Sequence, residues 1–144
     1  MTKMTDSTAA PNGASLREAF PAVDPGAKPL GARVLVQLRR TKRTVTGMGI
    51  ILVEETRETE KWQNMVGKVI ELGPIAFRKR DSMEPWVEGT WCEVGDYIRV
   101  PTWGGDRWEV PCPGEDEPVL FMVLNDHECI AKLTGDPLAV KAFV

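Results

Sequence analysis

The chain has 144 residues, which fits one domain and leaves little room for a second. Its 18 Lys and Arg residues against 21 Asp and Glu residues give a net charge of −3, which argues against a nucleic-acid-binding protein. No apolar run reaches the roughly 20 residues that a membrane span needs, and residues 1–10 lack the apolar segment of a secretory signal. Three cysteines without close spacing do not resemble a secreted disulfide framework, so we expect a reducing, cytoplasmic setting.

Residues 1–28 are rich in small and polar residues and have no lasting periodicity. Only residues 15–20 favour a short helix, which Pro21 ends. We expect this N-terminal extension to be disordered or to form an arm that wraps a neighbouring subunit.

The rest of the chain predicts short strands separated by turn residues. In the first strand, Val34, Val36 and Leu38 alternate with other residues, a pattern typical of a half-buried strand. Such strands predict an all-β barrel or sandwich. The predicted strands cover residues 34–38, 65–72, 97–100, 108–110, 119–124 and 129–133.

Two connections between these strands are far longer than hairpin turns, and loops of that size are usually functional or disordered. Residues 75–93 are expected to form a protruding hairpin, and their basic run, residues 78–80, is more typical of a solvated turn than of an anion site. Residues 39–64 carry four adjacent aliphatic residues, 50–53, between a basic arm and an acidic arm. The opposed charges could hold the two arms together. The aliphatic run predicts either a surface that binds a partner or an ordinary strand of the sheet.

Five segments follow one another along the chain. They are Pro29-Leu-Gly-Ala-Arg-Val-Leu-Val36, Thr44-Val-Thr-Gly-Met-Gly-Ile-Ile-Leu52, Gly67-Lys-Val-Ile-Glu-Leu-Gly73, Val94-Gly-Asp96 and Val100-Pro-Thr-Trp-Gly-Gly105. Together they resemble the GroES (ten-kilodalton chaperonin) family of co-chaperonins. The first is similar to the opening strand of that family, the second to its mobile loop, and the other three to its later segments.

The resemblance implies an irregular β-barrel with a long mobile loop and a protruding hairpin. It also implies a homo-heptameric ring that caps a GroEL-type chaperonin while an unfolded client folds inside the chamber. Carried over by position, Ile50, Ile51 and Leu52 would dock on the chaperonin, and Gly49 would give the loop backbone freedom. The resemblance implies no catalytic residue, no metal and no cofactor.

The sequence also departs from the family pattern. Met48 stands where the family has the first of two adjacent glycines, and the stretch from Leu52 to Gly67 is longer than usual. We therefore divide the chain into an N-terminal extension, 1–28, a co-chaperonin barrel, 29–133, and a C-terminal tail, 134–144. These features suit a divergent member of bacteriophage or cellular origin, acting in the (host) cytoplasm.

Two rival functions remain open at this stage. One is a virion or assembly structural protein that reuses the barrel, held by the N-terminal arm and the apolar C-terminus. The other is a small zinc or thiol enzyme, which would use residues 126–129 (Asp-His-Glu-Cys) or Cys92 with His127. With one histidine in the chain we expect no zinc site, and we expect the Cys92 thiol to be inert.

Apolar residues near both ends of the barrel are expected to pair subunits at their sheet edges. They are Leu30 and Leu35 on one side and residues 138–144 on the other, although disorder of the tail is an alternative. Trp103 and Trp108 are expected in the core or at a subunit interface.

Overall fold

The computed structural model describes residues 16–40, 66–102 and 104–138. Within these ranges the chain forms one short helix, one 3-10 turn and six strands, so the predicted all-β class is confirmed. The helix α1 is Leu16–Ala19 and the 3-10 turn η1 is Asp126–Glu128. The strands are β1 Arg33–Leu38, β2 Val66–Leu72, β3 Tyr97–Arg99, β4 Asp106–Val110, β5 Val119–Asn125 and β6 Ala131–Lys132.

All six strands belong to one antiparallel sheet with the order β4-β5-β1-β2-β3-β6. β1 lies near its centre, with Val36 opposite Val69 of β2 on one side and Met122 of β5 on the other. The register between β1 and β2 shifts between Leu35 and Val36, which marks a β-bulge. β1 and β5 contribute the largest share of the buried aliphatic side chains, so the core forms around these two strands.

The expectation that β1 is half-buried is wrong. Leu35 and Gln37, which the alternation directs away from the main core, are as buried as Val34 and Val36. Leu35 packs in a second apolar cluster with Val119 and Phe121, and residues 16–28 cover this side of the sheet. Because Leu35 is buried within its own chain, it does not supply the exposed apolar edge that the sequence suggested, whereas Leu30 is 70% exposed.

Residues 16–28 run along their own sheet as a strap, a name we keep for this segment. The Gln37 side-chain amide donates to the Pro21 carbonyl oxygen at 2.8 Å, and the Trp108 indole N–H donates to the Pro25 carbonyl oxygen at 2.9 Å. The first of these bonds satisfies a polar side chain that would otherwise be costly to bury. The sequence left a choice between disorder and an arm on a neighbour, and this part of the extension instead packs on its own domain.

The predicted hairpin lies between β2 and β3. Arg78 pairs with Pro85 in an isolated antiparallel bridge, and the Trp86 backbone N–H donates to the Phe77 carbonyl oxygen at 3.1 Å. The tip, residues 78–85, is exposed, but Phe77 at its base is buried among core residues. The hairpin therefore protrudes at its tip and is packed into the core at its base.

The hairpin begins after Gly73, where the packing leaves no room for a side chain. A Cβ on Gly73 would collide with the carbonyl oxygens of Gly31 and Arg33, and the Gly73 N–H donates to that Arg33 oxygen at 2.8 Å. The backbone approach that ends β2 is thus available only to a residue without a side chain.

Candidate functional site

The two chain ends that flank residues 41–65 meet at one point of the sheet. Leu38 pairs with Gly67 across β1 and β2, and the Arg39 backbone N–H donates to the Val66 carbonyl oxygen at 2.8 Å. The segment that contains Gly49, Ile50, Ile51 and Leu52 therefore starts and ends on neighbouring central strands. Residues 41–65 themselves, with these four site residues, lie outside the described residues, as do 1–15, Trp103 and 139–144.

Arg40 fixes the outgoing end of this junction. Its backbone N–H donates to the Ala19 carbonyl oxygen at 2.9 Å, and its guanidinium donates to the Glu18 carbonyl oxygen at 2.8 and 3.1 Å. The same guanidinium reaches the Glu117 carbonyl oxygen at 3.3 Å and the Glu115 carboxylate at 2.8 Å. One half-buried arginine thus ties α1 and the turn before β5 to the exit of β1. Hydrogen bonds from a charged donor are among the stronger ones in proteins.

Arg39 ties in the C-terminal side. Its guanidinium donates to the Pro137 carbonyl oxygen at 2.8 Å. Burial lowers the pKa of Arg39, and the nearby Arg99 guanidinium lowers it further. An arginine starts so far above neutrality that it keeps its charge even so. The acidic arm that the sequence places opposite these two arginines lies outside the described residues. Within the described residues, Arg39 and Arg40 bind the body of the domain.

A small apolar cluster lies beneath the junction. It joins the strap, β2, β3 and the C-terminal segment. In this cluster the centroids of the Phe20 and Tyr97 rings are 5.1 Å apart, and the ring planes make an angle of 59°. Burial raises the pKa of Tyr97. Its members are Ala19, Phe20, Val66, Tyr97, Leu133 and Leu138. Residues outside the segments that resemble the family thus support the junction below residues 41–65.

A second candidate site surrounds Asp126, one of the metal-type ligands singled out in the sequence. Its carboxylate is fully buried, and Oδ2 accepts from the Phe77 backbone N–H at 2.9 Å and from Arg80 at 2.8 Å. Within the described residues, Oδ1 has no hydrogen-bond partner and lies 3.6 Å from the His127 Nδ1, while the Glu128 carboxylate accepts from the Asn125 N–H at 2.8 Å. These side chains hold the hairpin and cap η1. Among the described residues no three His, Cys, Asp or Glu side chains cluster as a metal site.

The basic run at the hairpin tip borders a cavity of about 520 Å³ together with Arg33 and His127. Arg78 donates to the Met83 carbonyl oxygen at 2.9 Å, and Arg80 donates to the Arg78 carbonyl oxygen as well as to Asp126. These bonds hold the turn itself and tie it to the buried Asp126. Trp108 is half-buried and stacks on Phe121 with 6.0 Å between ring centroids, so it belongs to the second cluster.

The third site brings together two cysteines that are far apart in the sequence. Cys92 and Cys129 are both buried in one apolar cluster of the main core. Hydrogen bonding with the Cys129 side chain lowers the pKa of Cys92, whereas the same interaction and burial raise the pKa of Cys129. His127 borders the same cavity but points largely into solvent. The structure therefore pairs Cys92 with Cys129 rather than with His127.

Sequence reasoning missed three of these features. Arg40 was visible only as part of a basic run, and nothing in the alternation of β1 signals that Gln37 would be buried. The Cys92–Cys129 contact joins residues of two separate connections, and only the tertiary fold brings them together. The sequence showed only that three cysteines cannot all pair with one another, and it did not show which two would meet.

Comparison with known proteins gives one positive finding. The family model of the chaperonin 10 Kd subunit matches residues 26–133, which is more than half of the chain. No curated protein matches the chain. Within the described residues, no helix combines the length and the apolar character that a membrane crossing requires.

Proposed function

The chain belongs to the chaperonin 10 Kd subunit family, and from this premise we propose that it caps the cavity of a GroEL-type chaperonin ring during ATP-dependent protein folding. Membership supports a co-chaperonin function and implies oligomerisation and partnership with a GroEL-type chaperonin. The family is not a family of enzymes, and we assign no catalytic step and no cofactor to this chain. We propose that it acts in the cytoplasm, on an unfolded client held in the chamber.

The observation that carries this proposal is the closed junction below residues 41–65. The Arg39–Val66 hydrogen bond and the Arg40 contacts give the segment a firm base, so an apolar run within it can be presented away from the sheet. We propose that Gly49 precedes a docking tripeptide made of Ile50, Ile51 and Leu52. An aliphatic run between charged arms gains most by burial in a partner's apolar groove.

The energetics favour weak single contacts and strong collective binding. Burying three aliphatic side chains yields about 5–9 kcal/mol. Ordering a loop costs about 1–2 kcal/mol per residue, so one loop of ten or more residues binds weakly at best. Linked loops on one ring convert weak contacts into high avidity, because each later contact is intramolecular. A change in the chaperonin that weakens each contact slightly can then release the whole cap.

We propose a homo-heptameric ring for the assembly. The two edge strands, β4 and β6, end the sheet in the described chain, and sheet edges are natural sites for pairing between subunits. Leu30, which is 70% exposed, is an apolar residue that such an interface would cover.

The alternative, a virion or assembly structural protein, depends on an N-terminal arm that reaches a neighbour and on the apolar C-terminus, whose residues 139–144 lie outside the described residues. Residues 16–28 lie on their own sheet through Pro21 and Pro25, so the described part of the extension does not favour that role.

Native mass spectrometry tests the proposal directly. The protein alone should give a single species of seven subunits, and adding a GroEL-type chaperonin with ADP should give a complex of one ring per chaperonin end. A monomer at high micromolar concentration would contradict the ring. A ring that never binds chaperonin, with or without nucleotide, would contradict capping and favour the structural role.

A further inference from the structure

Two of the three cysteines form a pair at the edge of the core. Cys92 lies in the connection between β2 and β3 and is 2% exposed, and Cys129 follows η1 and is 9% exposed. Both side chains belong to the same buried apolar cluster, and both line the same cavity. Cys112 is buried in the other apolar cluster, around Leu35 and Phe121, so it serves as a natural control.

A surface cavity leads to this pair. Its volume is about 670 Å³, and both cysteines contribute to its lining. Exposed residues, among them His127, Ile130 and Lys132, line the same cavity, so it reaches solvent. A small oxidant can therefore approach the thiols without unfolding the domain, whereas Cys112 is not among the residues that line it.

The two thiols are chemically unequal. The hydrogen bond from the Cys129 thiol lowers the pKa of Cys92, and the Lys132 ammonium contributes in the same direction, against burial and the Asp96 and Glu93 carboxylates. The same bond, followed by burial, raises the pKa of Cys129. The thiolate is the reactive form of cysteine, so the direction of the two pKa shifts assigns the attack to Cys92 and leaves Cys129 as its partner.

We propose that Cys92 and Cys129 form a thiol–disulfide modification site that a hydroperoxide oxidises. In the first step the Cys92 sulfur attacks the O–O bond of the peroxide, gains one oxygen as a sulfenic acid, and one water (or alcohol) leaves. In the second step the Cys129 sulfur attacks the Cys92 sulfur, the S–O bond breaks, and the oxygen leaves as water with the Cys129 proton. The pair loses two electrons in total and the peroxide gains them.

The disulfide would join the base of the hairpin to the segment that follows η1. Cys92 is adjacent to Trp91, which packs on Phe77 and Trp86, while Cys129 follows the η1 turn that contains Asp126. Oxidation would therefore clamp the hairpin to the sheet by a covalent bond beside the existing Arg80–Asp126 contact. The formation of this disulfide does not depend on chaperonin binding.

Non-reducing peptide mass spectrometry of the full-length protein tests the site. The folded protein is treated with hydrogen peroxide, its remaining thiols are alkylated, and the digest is analysed with and without dithiothreitol. We expect a Cys92–Cys129 peptide that is lighter by two hydrogens and disappears on reduction, with Cys112 recovered as the alkylated thiol. The Cys112→Ser variant should give the same linkage.

Two single variants separate the roles of the thiols. In Cys129→Ser, Cys92 should stop at the sulfenic acid, which dimedone traps, and in Cys92→Ser dimedone should label neither position. Three results would overturn the proposal. These are the absence of the linkage in folded wild-type protein, its appearance only after denaturation, or oxidation of Cys112 at the same rate as Cys92.

Discussion

The two long connections between strands are held to the domain in different ways. The hairpin between β2 and β3 carries its own apolar anchor: Phe77 is buried, its ring lies 5.4 Å from that of Trp86, and the Trp86 and Trp91 rings are 4.8 Å apart. The junction of the 41–65 segment is held instead by two arginines, Arg39 and Arg40, that donate mainly to backbone carbonyl oxygens.

The two connections can therefore be assigned different functions. Both are long and charged, but the hairpin's aromatic residues are used inside the chain. The aliphatic run of the other connection, residues 50–53, is the one we assign to a partner. Substitutions in the hairpin base should therefore reduce stability, and substitutions in the run should reduce binding.

The largest effect is expected from Ile51→Asp. If Ile51 docks in an apolar groove, the carboxylate is buried there without a partner, which costs several kcal/mol. A loss of only about 1.4 kcal/mol per subunit is already tenfold in each contact and multiplies around a ring. We expect chaperonin binding to be lost in a pull-down or calorimetric titration while the melting temperature is unchanged.

Val87→Asp is the matched control for that variant. Val87 is 94% exposed in the other long connection, so the same charge change should alter neither binding nor stability. A fall in the melting temperature of Ile51→Asp would instead indicate that residues 50–53 form a core strand. Unchanged binding and stability would remove Ile51 from both accounts.

The next largest effect is expected from Phe77→Ala. Removing a buried aromatic side chain leaves a cavity, and such changes typically cost about 3–5 kcal/mol. Urea unfolding at fixed protein concentration should show this loss, whereas Val87→Ala in the same hairpin should be nearly neutral. Equal stability of the two variants would show that the hairpin base is not an anchor.

A smaller effect is expected from Arg40→Met. The change keeps much of the aliphatic stem but removes the bonds to Glu18, Glu115 and Glu117, with an expected loss of about 1–2 kcal/mol. Limited proteolysis should then cut more readily in the strap. Arg33→Met is the control, because the Arg33 side chain is exposed and donates to the Leu30 carbonyl oxygen at 3.3 Å. Equal protease resistance of both variants would contradict the proposed role of Arg40.

The smallest effect is a gain in stability. Met83 at the hairpin tip is exposed and has a φ of +64°, a left-handed conformation that costs a residue with a side chain about 1–2 kcal/mol. Met83→Gly should therefore stabilise the domain by roughly 0.5–1 kcal/mol after the greater backbone entropy of glycine is subtracted. The neighbouring Ser82 has no such conformation, so Ser82→Gly should destabilise it. If both changes destabilise the domain, the left-handed conformation of Met83 does not cost the free energy that we assign to it.

The strands were predictable from the sequence because turn residues bound them, although the mostly polar β4, Asp106–Val110, begins two residues before the predicted strand. The bounds of β2 and β5 differ from the prediction by one residue. The burial of Leu35 and Gln37 was not predictable, since alternation assumes one solvated face and cannot show that residues 16–28 cover it. The contact between Cys92 and Cys129 needed the tertiary fold for the same reason.

We propose that residues 49–52 are the surface that contacts the chaperonin. Hydrogen–deuterium exchange across residues 41–65, measured with and without a GroEL-type chaperonin and ADP, tests this contact most directly. The amides of Ile50, Ile51 and Leu52 should become protected in the complex, while those of the central strands β1 and β5 should exchange as before. A complex that forms with no change in exchange at residues 49–52 would contradict it.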